Sequence, residues 1–134
     1  MSRVLIVCEN SAYADQLKAV LSRAGIASES AGNMTAACDS AQSGRFGVVF
    51  STPDSADGSW TRLIEVAHRN GLSFEIVLLA RSFDLNQWSE AMQLGAFEVM
   101  DVLKDLPLAA EIAQRALGAG YLQRYRSRTR QNNS

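Results

Sequence analysis

The chain predicts an α/β fold in which a parallel sheet is wound by helices on both faces, and three observations carry that expectation. Short, continuous apolar runs alternate along the whole chain with stretches whose apolar residues recur at helical spacing. Capping residues and glycines stand at the changeovers, where helices start and stop. The length, 134 residues, suits about one domain, with apolar residues at 47% and charged residues at 20% marking a globular chain rather than a disordered one.

Arg3-Val4-Leu5-Ile6-Val7-Cys8 reads as a strand buried on both faces. Asn10 and Ser11 cap a helix whose Ala14, Leu17, Val20 and Leu21 share one face through Arg23, and Gly25 ends it. Ile26 to Ser30 is a weaker second strand. Asn33 opens a helix carrying Met34, Ala37, Cys38 and Ala41, and Phe46 to Phe50 is the third strand. Ser51 to Gly58 is rich in the residues turns demand and reads as a loop. A helix from about Ser59 to Asn70, a strand from Phe74 to Ala80 and a helix from Asp84 to Leu94 follow. Gly95 stops that helix, Ala96 to Val102 is the fifth strand, and Leu106 to about Leu117 is the last helix. Five βα units in sequence leave a parallel sheet as the economical solution. Residues 1–120 form one domain on this reading, and 121–134 a basic tail or linker.

Composition narrows the function. No unbroken apolar run exceeds five residues, against the ~20 needed to span a bilayer, and the start of the chain carries no secretory leader pattern. Two cysteines, Cys8 and Cys38, fit neither a zinc spacing nor a disulfide framework, so a cytoplasmic location is expected. The one histidine, His68, rules out a multi-histidine metal site and is expected on the surface of a helix. The formal net charge of −1 hides an asymmetry. Residues 1–120 hold nine basic and fourteen acidic side chains, while 121–134 hold four arginines and no acid.

In open α/β sheets ligands bind beyond the carboxyl ends of the strands, near the point where strand order reverses. That directs attention to Cys8-Glu9-Asn10, Ser51-Thr52, Ala80-Arg81 and Val102-Leu103. Leu85 through Phe97, ending Ala91-Met92-Gln93-Leu94-Gly95-Ala96-Phe97, resembles the fourth helix and fifth strand of response-regulator receiver domains. Val4-Leu5-Ile6-Val7, and Phe46–Phe50 with its Asp57-Gly58 loop, are similar to the same family, so the resemblance covers residues 3 to about 118. It implies a flavodoxin-like doubly wound (βα)5 sandwich with a five-stranded sheet of order 2-1-3-4-5. It also implies phosphoryl transfer from a histidine kinase to an aspartate, with Mg²⁺, followed by a switch of partners.

Each part of that chemistry needs a particular group. The acceptor must be a carboxylate that can form an acyl phosphate. Mg²⁺ needs oxygen ligands, and a cation must offset charge on the phosphoryl oxygens. Carried over by the resemblance, the acidic pair is Cys8-Glu9, the acceptor position is Thr52, the switch hydroxyl is Ala80, its aromatic partner is Val99, and the lysine is Val102 followed by Leu103. The loop from Thr52 to Gly58 is about two residues short. Glu9 alone survives, as a weak metal candidate, so a degenerate, pseudo-receiver pocket without Mg²⁺ or any other cofactor is expected, and no enzyme activity. The alternative is an active phosphoacceptor with a rearranged acidic pocket of Asp54 and Glu9. Lys104 could then stand in for the lysine if strand pleating continued past Val102.

Cys8 beside Glu9 is expected as a buried filler rather than a reactive thiol, since a carboxylate disfavours the thiolate. Ser51 and Thr52 are candidate modification sites. Trp88, Met92 and Val99 form a candidate interaction face, through which a protein partner or a second copy in a homodimer would bind. Arg124, Arg126, Arg128 and Arg130 place like charges at i,i+4 in the tail, which suits a joint to an output domain or an acidic partner better than nucleic acid.

Overall fold

The computed structural model describes residues 3–81 and 84–119. Its elements in chain order are β1 (Arg3–Val7), α1 (Ser11–Arg23), β2 (Ser28–Ala31), α2 (Met34–Ala41), β3 (Phe46–Ser51), β4 (Asp54–Ser55), β5 (Gly58–Ser59), α3 (Thr61–Arg69), β6 (Glu75–Ala80), α4 (Leu85–Leu94) and β7 (Glu98–Asp101). A 3-10 turn over Leu106–Leu108 leads into α5, helical over residues 109–119. Five strands form one all-parallel sheet of order β2-β1-β3-β6-β7. The path is doubly wound, with strand order reversing between β1 and β3.

Two elements correct the expected strand count. Ser51 to Gly58 is not plain loop: β4 and β5 pair antiparallel within it, Asp54 opposite Ser59 and Ser55 opposite Gly58. Counted along the chain, the sheet is therefore 2-1-3-6-7 and not 2-1-3-4-5. The second strand also starts later than expected, at Ser28 instead of Ile26. Ile26 is taken by the end of α1, where Gly25 sits at φ 77 and the amides of Gly25 and Ile26 donate to Ser22 O and Leu21 O. Such a left-handed stop satisfies helix carbonyls that a strand beginning at Ile26 would abandon.

Alternate residues of each central strand face opposite layers, so the sheet builds two cores. Leu5, Val7, Val49, Ile76 and Leu78 pack under α2, α3 and α4 with Met34, Leu63 and Trp60. Val4, Ile6, Val48, Phe50, Val77 and Leu79 pack under α1 and α5 with Leu17, Leu21, Ile112 and Ala113. Leu17 and Leu21 are almost wholly buried, and each such side chain contributes about 1.5–3 kcal/mol from area removed from water. The helices start where the sequence places caps. Asn10 Oδ1 accepts from the amides of Ala12 and Tyr13, Asn33 Oδ1 from Ala36, and Asp84 Oδ1 from Gln87 in a reciprocal capping box. Gly95, left-handed at φ 114, closes α4 and turns the chain into β7. His68 is exposed on α3, and Cys8 and Cys38 are both buried and free. No described helix is long and apolar enough to cross a membrane.

Candidate functional site

The strand ends open into one cavity of about 230 Å³ at the reversal point between β1 and β3. Cys8, Glu9, Thr52, Ala80 and Val102 all line it, joined by Asn10, Tyr13, Asp54, Leu79 and Arg81. Sheet pairing brings them together from four strands. The amide of Cys8 donates to Ala31 O and that of Thr52 to Val7 O, which carries the β1 pairings one residue past the strand ends. The amide of Val102 donates to Ala80 O and seats Val102 beside Ala80 on the far side.

The floor is apolar and uncharged. Cys8 is 7% exposed and its Sγ donates to Asn10 O at 3.5 Å. Burial pushes the thiol above its ordinary pKa, with the Glu9 charge adding to the rise. Val102 is 5% exposed, where a lysine stem would have to emerge. Ser51 is fully buried and donates to Thr52 O, which removes it from the candidates for modification. Thr52 is half-buried, with Oγ1 donating to Asp54 O at 3.3 Å.

The acidic side is engaged in holding the hairpin. Glu9 Oε1 accepts from the amide of Ala56 at 2.8 Å, a bond between residues 47 apart in the chain. Asp57 accepts from the amides of Met34 (2.8 Å) and Thr35 (2.9 Å) at the start of α2 and from Ser55 Oγ (2.6 Å). These bonds, the one from Ser55 first, hold its carboxyl well below the usual aspartate range. Arg62 Nη1 donates to Asp57 O, and the Trp60 amide to Pro53 O. The Asp57-Gly58 pair is thus a structural clasp between the hairpin and α2.

Two expectations fail on geometry. Lys104 does not continue a pleated strand, because β7 stops at Asp101, whose Oδ1 accepts from the amides of Leu103 and Lys104 and folds them into a turn. These same bonds, with Lys104 first, lower the pKa of Asp101. Lys104 is exposed and is not among the residues that line the cavity. Val99 does not belong to an interaction face: paired with Leu78 and 8% exposed, it lies inside the α4 core. It lines a second cavity of about 200 Å³ with Pro53, Trp60, Ala91 and Leu94, and Ala80 is common to both cavities. The surface of α4 is carried instead by Leu85, 77% exposed, and Trp88, 38% exposed, with Met92 half-buried against the core. The arginines of the tail lie outside the described residues.

Octahedral Mg²⁺ asks for several hard oxygen donors. Here the first position of the acidic pair is a neutral thiol, and Glu9 has one oxygen committed to Ala56. Among the described residues no three His, Cys, Asp or Glu side chains form a metal-holding group. With Asp54 the one other carboxylate in the described lining, the cavity offers fewer hard oxygen donors than octahedral Mg²⁺ asks for.

Tyr13 was not anticipated as a member of the site. It stands in the first turn of α1, three residues past the Asn10 cap that follows the β1 end, so it overlooks the reversal point. Position in that turn was the available signal, masked by its place beside the apolar stripe of Ala14 and Leu17.

No family model matches the chain, and no curated protein does. Solved structures do match. A two-component response regulator from Clostridium difficile superposes with TM-score 0.76 at 20% identity, over 87% of this chain and 96% of that one. A CheY-like response regulator receiver domain protein from Methanospirillum hungatei gives TM-score 0.78 at 19% identity, over 92% of this chain and 98% of that one. NtrX from Brucella abortus gives TM-score 0.81 at 20% identity over 97% of this chain but only 29% of its own. At these identities the likeness establishes the fold: this is the receiver-type five-stranded parallel sandwich.

Proposed function

We propose that this chain is a receiver-like signalling domain of the two-component type that does not accept a phosphoryl group and acts in the cytoplasm by protein contact. One observation carries the reading: the cavity where receiver chemistry would sit has Thr52, Ala80 and Val102 at its acceptor, hydroxyl and lysine positions, and its one matching acid is bonded to Ala56. Each missing preorganised charge costs roughly 3–4 kcal/mol of barrier, and several are missing together. The domain would regulate an attached or partner output module, or pair with a second copy. Leu85 and Trp88 on α4 supply the apolar contact, and the tail beyond residue 120 supplies the joint. The partial coverage of NtrX supports such an arrangement, since there a chain of this size accounts for a fraction of a longer protein. The test is incubation with acetyl phosphate and Mg²⁺, read by intact-protein mass and by Trp fluorescence. The expected result is no phosphoryl adduct and an unchanged spectrum.

A second reading has one observation in its favour. Asp54 lines the same cavity as Glu9, so a carboxylate does reach the pocket from the hairpin. On that reading Asp54 would attack the phosphorus, form the acyl phosphate and release acetate from acetyl phosphate. An adduct that forms in the native chain and vanishes in Asp54→Asn would establish it and overturn the first.

A further inference from the structure

The cavity at the reversal point combines an apolar floor with rim charges of both signs. Leu79, Ala80 and Val102 form the apolar part of the lining. Glu9 follows β1 and Asp54 opens the hairpin after β3, whereas Arg81 follows β6. β1, β3 and β6 are neighbours in the sheet at ~4.8 Å spacing, and all three charged residues line the same cavity as the apolar floor. Neither the Asp54 carboxylate nor the Arg81 guanidinium has a hydrogen-bond or ion-pair partner among the described residues, apart from the longer-range influence of Arg81 on Asp101. Glu9 keeps its second oxygen free of any described bond. The volume, about 230 Å³, holds about eight waters at ~30 Å³ each, which is the bulk of one amino acid.

Each simpler ligand leaves something unmatched. An inorganic anion would meet one cation and two carboxylates. A simple cation would leave Arg81 unused and the apolar floor wet. A wholly apolar molecule would desolvate the rim charges without replacing their water. We propose that the crevice binds a small zwitterion with an apolar body, an amino acid of the size of leucine or phenylalanine, as the input to this domain. Its ammonium group meets Glu9 and Asp54, its carboxylate meets Arg81, and its side chain rests on Ala80 and Val102. Ala80 also lines the cavity beneath α4, so the ligand lies next to the helix that carries Trp88.

The proposal rests on the reading of this pocket as closed to phosphoryl transfer, and the two fail differently: a phosphoryl adduct defeats that reading, while absent binding to an unlabelled chain defeats only this one. The test is a methyl-detected NMR titration of the full chain with L-leucine and L-phenylalanine. Phenethylamine and 3-phenylpropionate serve as single-charge controls. Saturable shifts of Ala80, Val102 and Leu79 are expected, with each control at least about tenfold weaker, as loss of one charge-assisted hydrogen bond implies. Arg81→Gln and Asp54→Asn, both at exposed positions, should weaken binding by a similar factor with an unchanged circular dichroism spectrum. Ala80→Leu should abolish it by filling the floor. Shifts that do not saturate, controls that bind as well as the amino acids, or full binding by Arg81→Gln would each overturn the proposal.

Discussion

The two sides of the crevice are built on opposite plans. On the β1–β3 side most polar groups are committed to another, Glu9 to Ala56, Ser55 and Asp57 to the start of α2 and Thr52 to Asp54 O, while the Asp54 carboxylate has no partner among the described residues. On the β6–β7 side the groups are either apolar, as Ala80 and Val102 are, or, as with Arg81, without a bonded partner among the described residues. The phosphoryl chemistry that the receiver resemblance implies needs a carboxylate where Thr52 stands, and a hydroxyl and a lysine where Ala80 and Val102 stand. Such a cavity can persist whatever chemistry it carries, because the floor is made by strand ends that the sheet fixes regardless of what side chains they carry.

The largest effect should come from a residue beneath both sides. Phe50 is fully buried in β3, and Phe50→Ala removes about 3–5 kcal/mol, read as a lower urea midpoint with unchanged slope. A loss below about 2 kcal/mol would mean that the core under α1 and α5 closes around the gap and does not depend on Phe50 to hold both sides.

Next is an attempt to rebuild the far side. Val102→Lys restores a cation where the receiver resemblance places one, but into a position 5% exposed. We expect destabilisation of about 1–3 kcal/mol and no gain of labelling by acetyl phosphate, even combined with Thr52→Asp. Labelling of the double variant would show that the acidic side remains usable and would break the contrast.

These outcomes bear on what could be read from residues alone. The α/β class was legible because Val4–Val7, Phe46–Phe50 and Ile76–Ala80 are apolar without a break in their period, while Leu17 and Leu21 are not adjacent. The cavity lining was legible from the strand ends at Cys8-Glu9, Ser51-Thr52, Ala80-Arg81 and Val102, since residues just past the strands of one parallel sheet share one edge. The hairpin was not, because two-residue strands have no periodicity to detect, and turn residues such as Pro53, Asp57 and Gly58 suit a loop equally well. Lys104 was misplaced for a related reason: Asp101 ends β7 with side-chain bonds to the amides beyond it, and a single aspartate in a strand sequence does not announce that. Val99 stands at the position of the switch aromatic in the receiver resemblance, and the valine packs inward, 8% exposed, in the core under α4.

A smaller effect separates Glu9 as a fastener from Glu9 as a metal ligand. Glu9→Ala removes an exposed charge-assisted bond to Ala56 and should cost about 1 kcal/mol, whereas Glu9→Gln keeps an acceptor oxygen and should cost less than half of that. Faster amide exchange at Ala56 in the alanine variant alone is the matching signature. Equal losses in both variants would point to charge, and so to a cation, instead of the hairpin.

The smallest effect is invisible at neutral pH and appears only in acid. Asp57 has a folded-state pKa below the unfolded value of 3.8, because Ser55, Thr35 and Met34 all hydrogen-bond to its ionised form. A depressed acid contributes stability that is fully present above the unfolded pKa and is lost as pH falls through the folded one. The hairpin should therefore stay clasped to α2 throughout the neutral range and loosen only below about pH 3.8, as protonation takes an acceptor from the amides of Met34 and Thr35. Amide shifts of those two residues, followed downward in pH, should move together. In Asp57→Asn the acid-dependent step should disappear, because asparagine has no proton to gain, and the α2 amides should already exchange faster at neutral pH. Retention of the step in that variant would place the titrating group elsewhere, with Asp101 the first to examine, since its pKa is lowered by an equivalent clasp on the opposite side of the crevice.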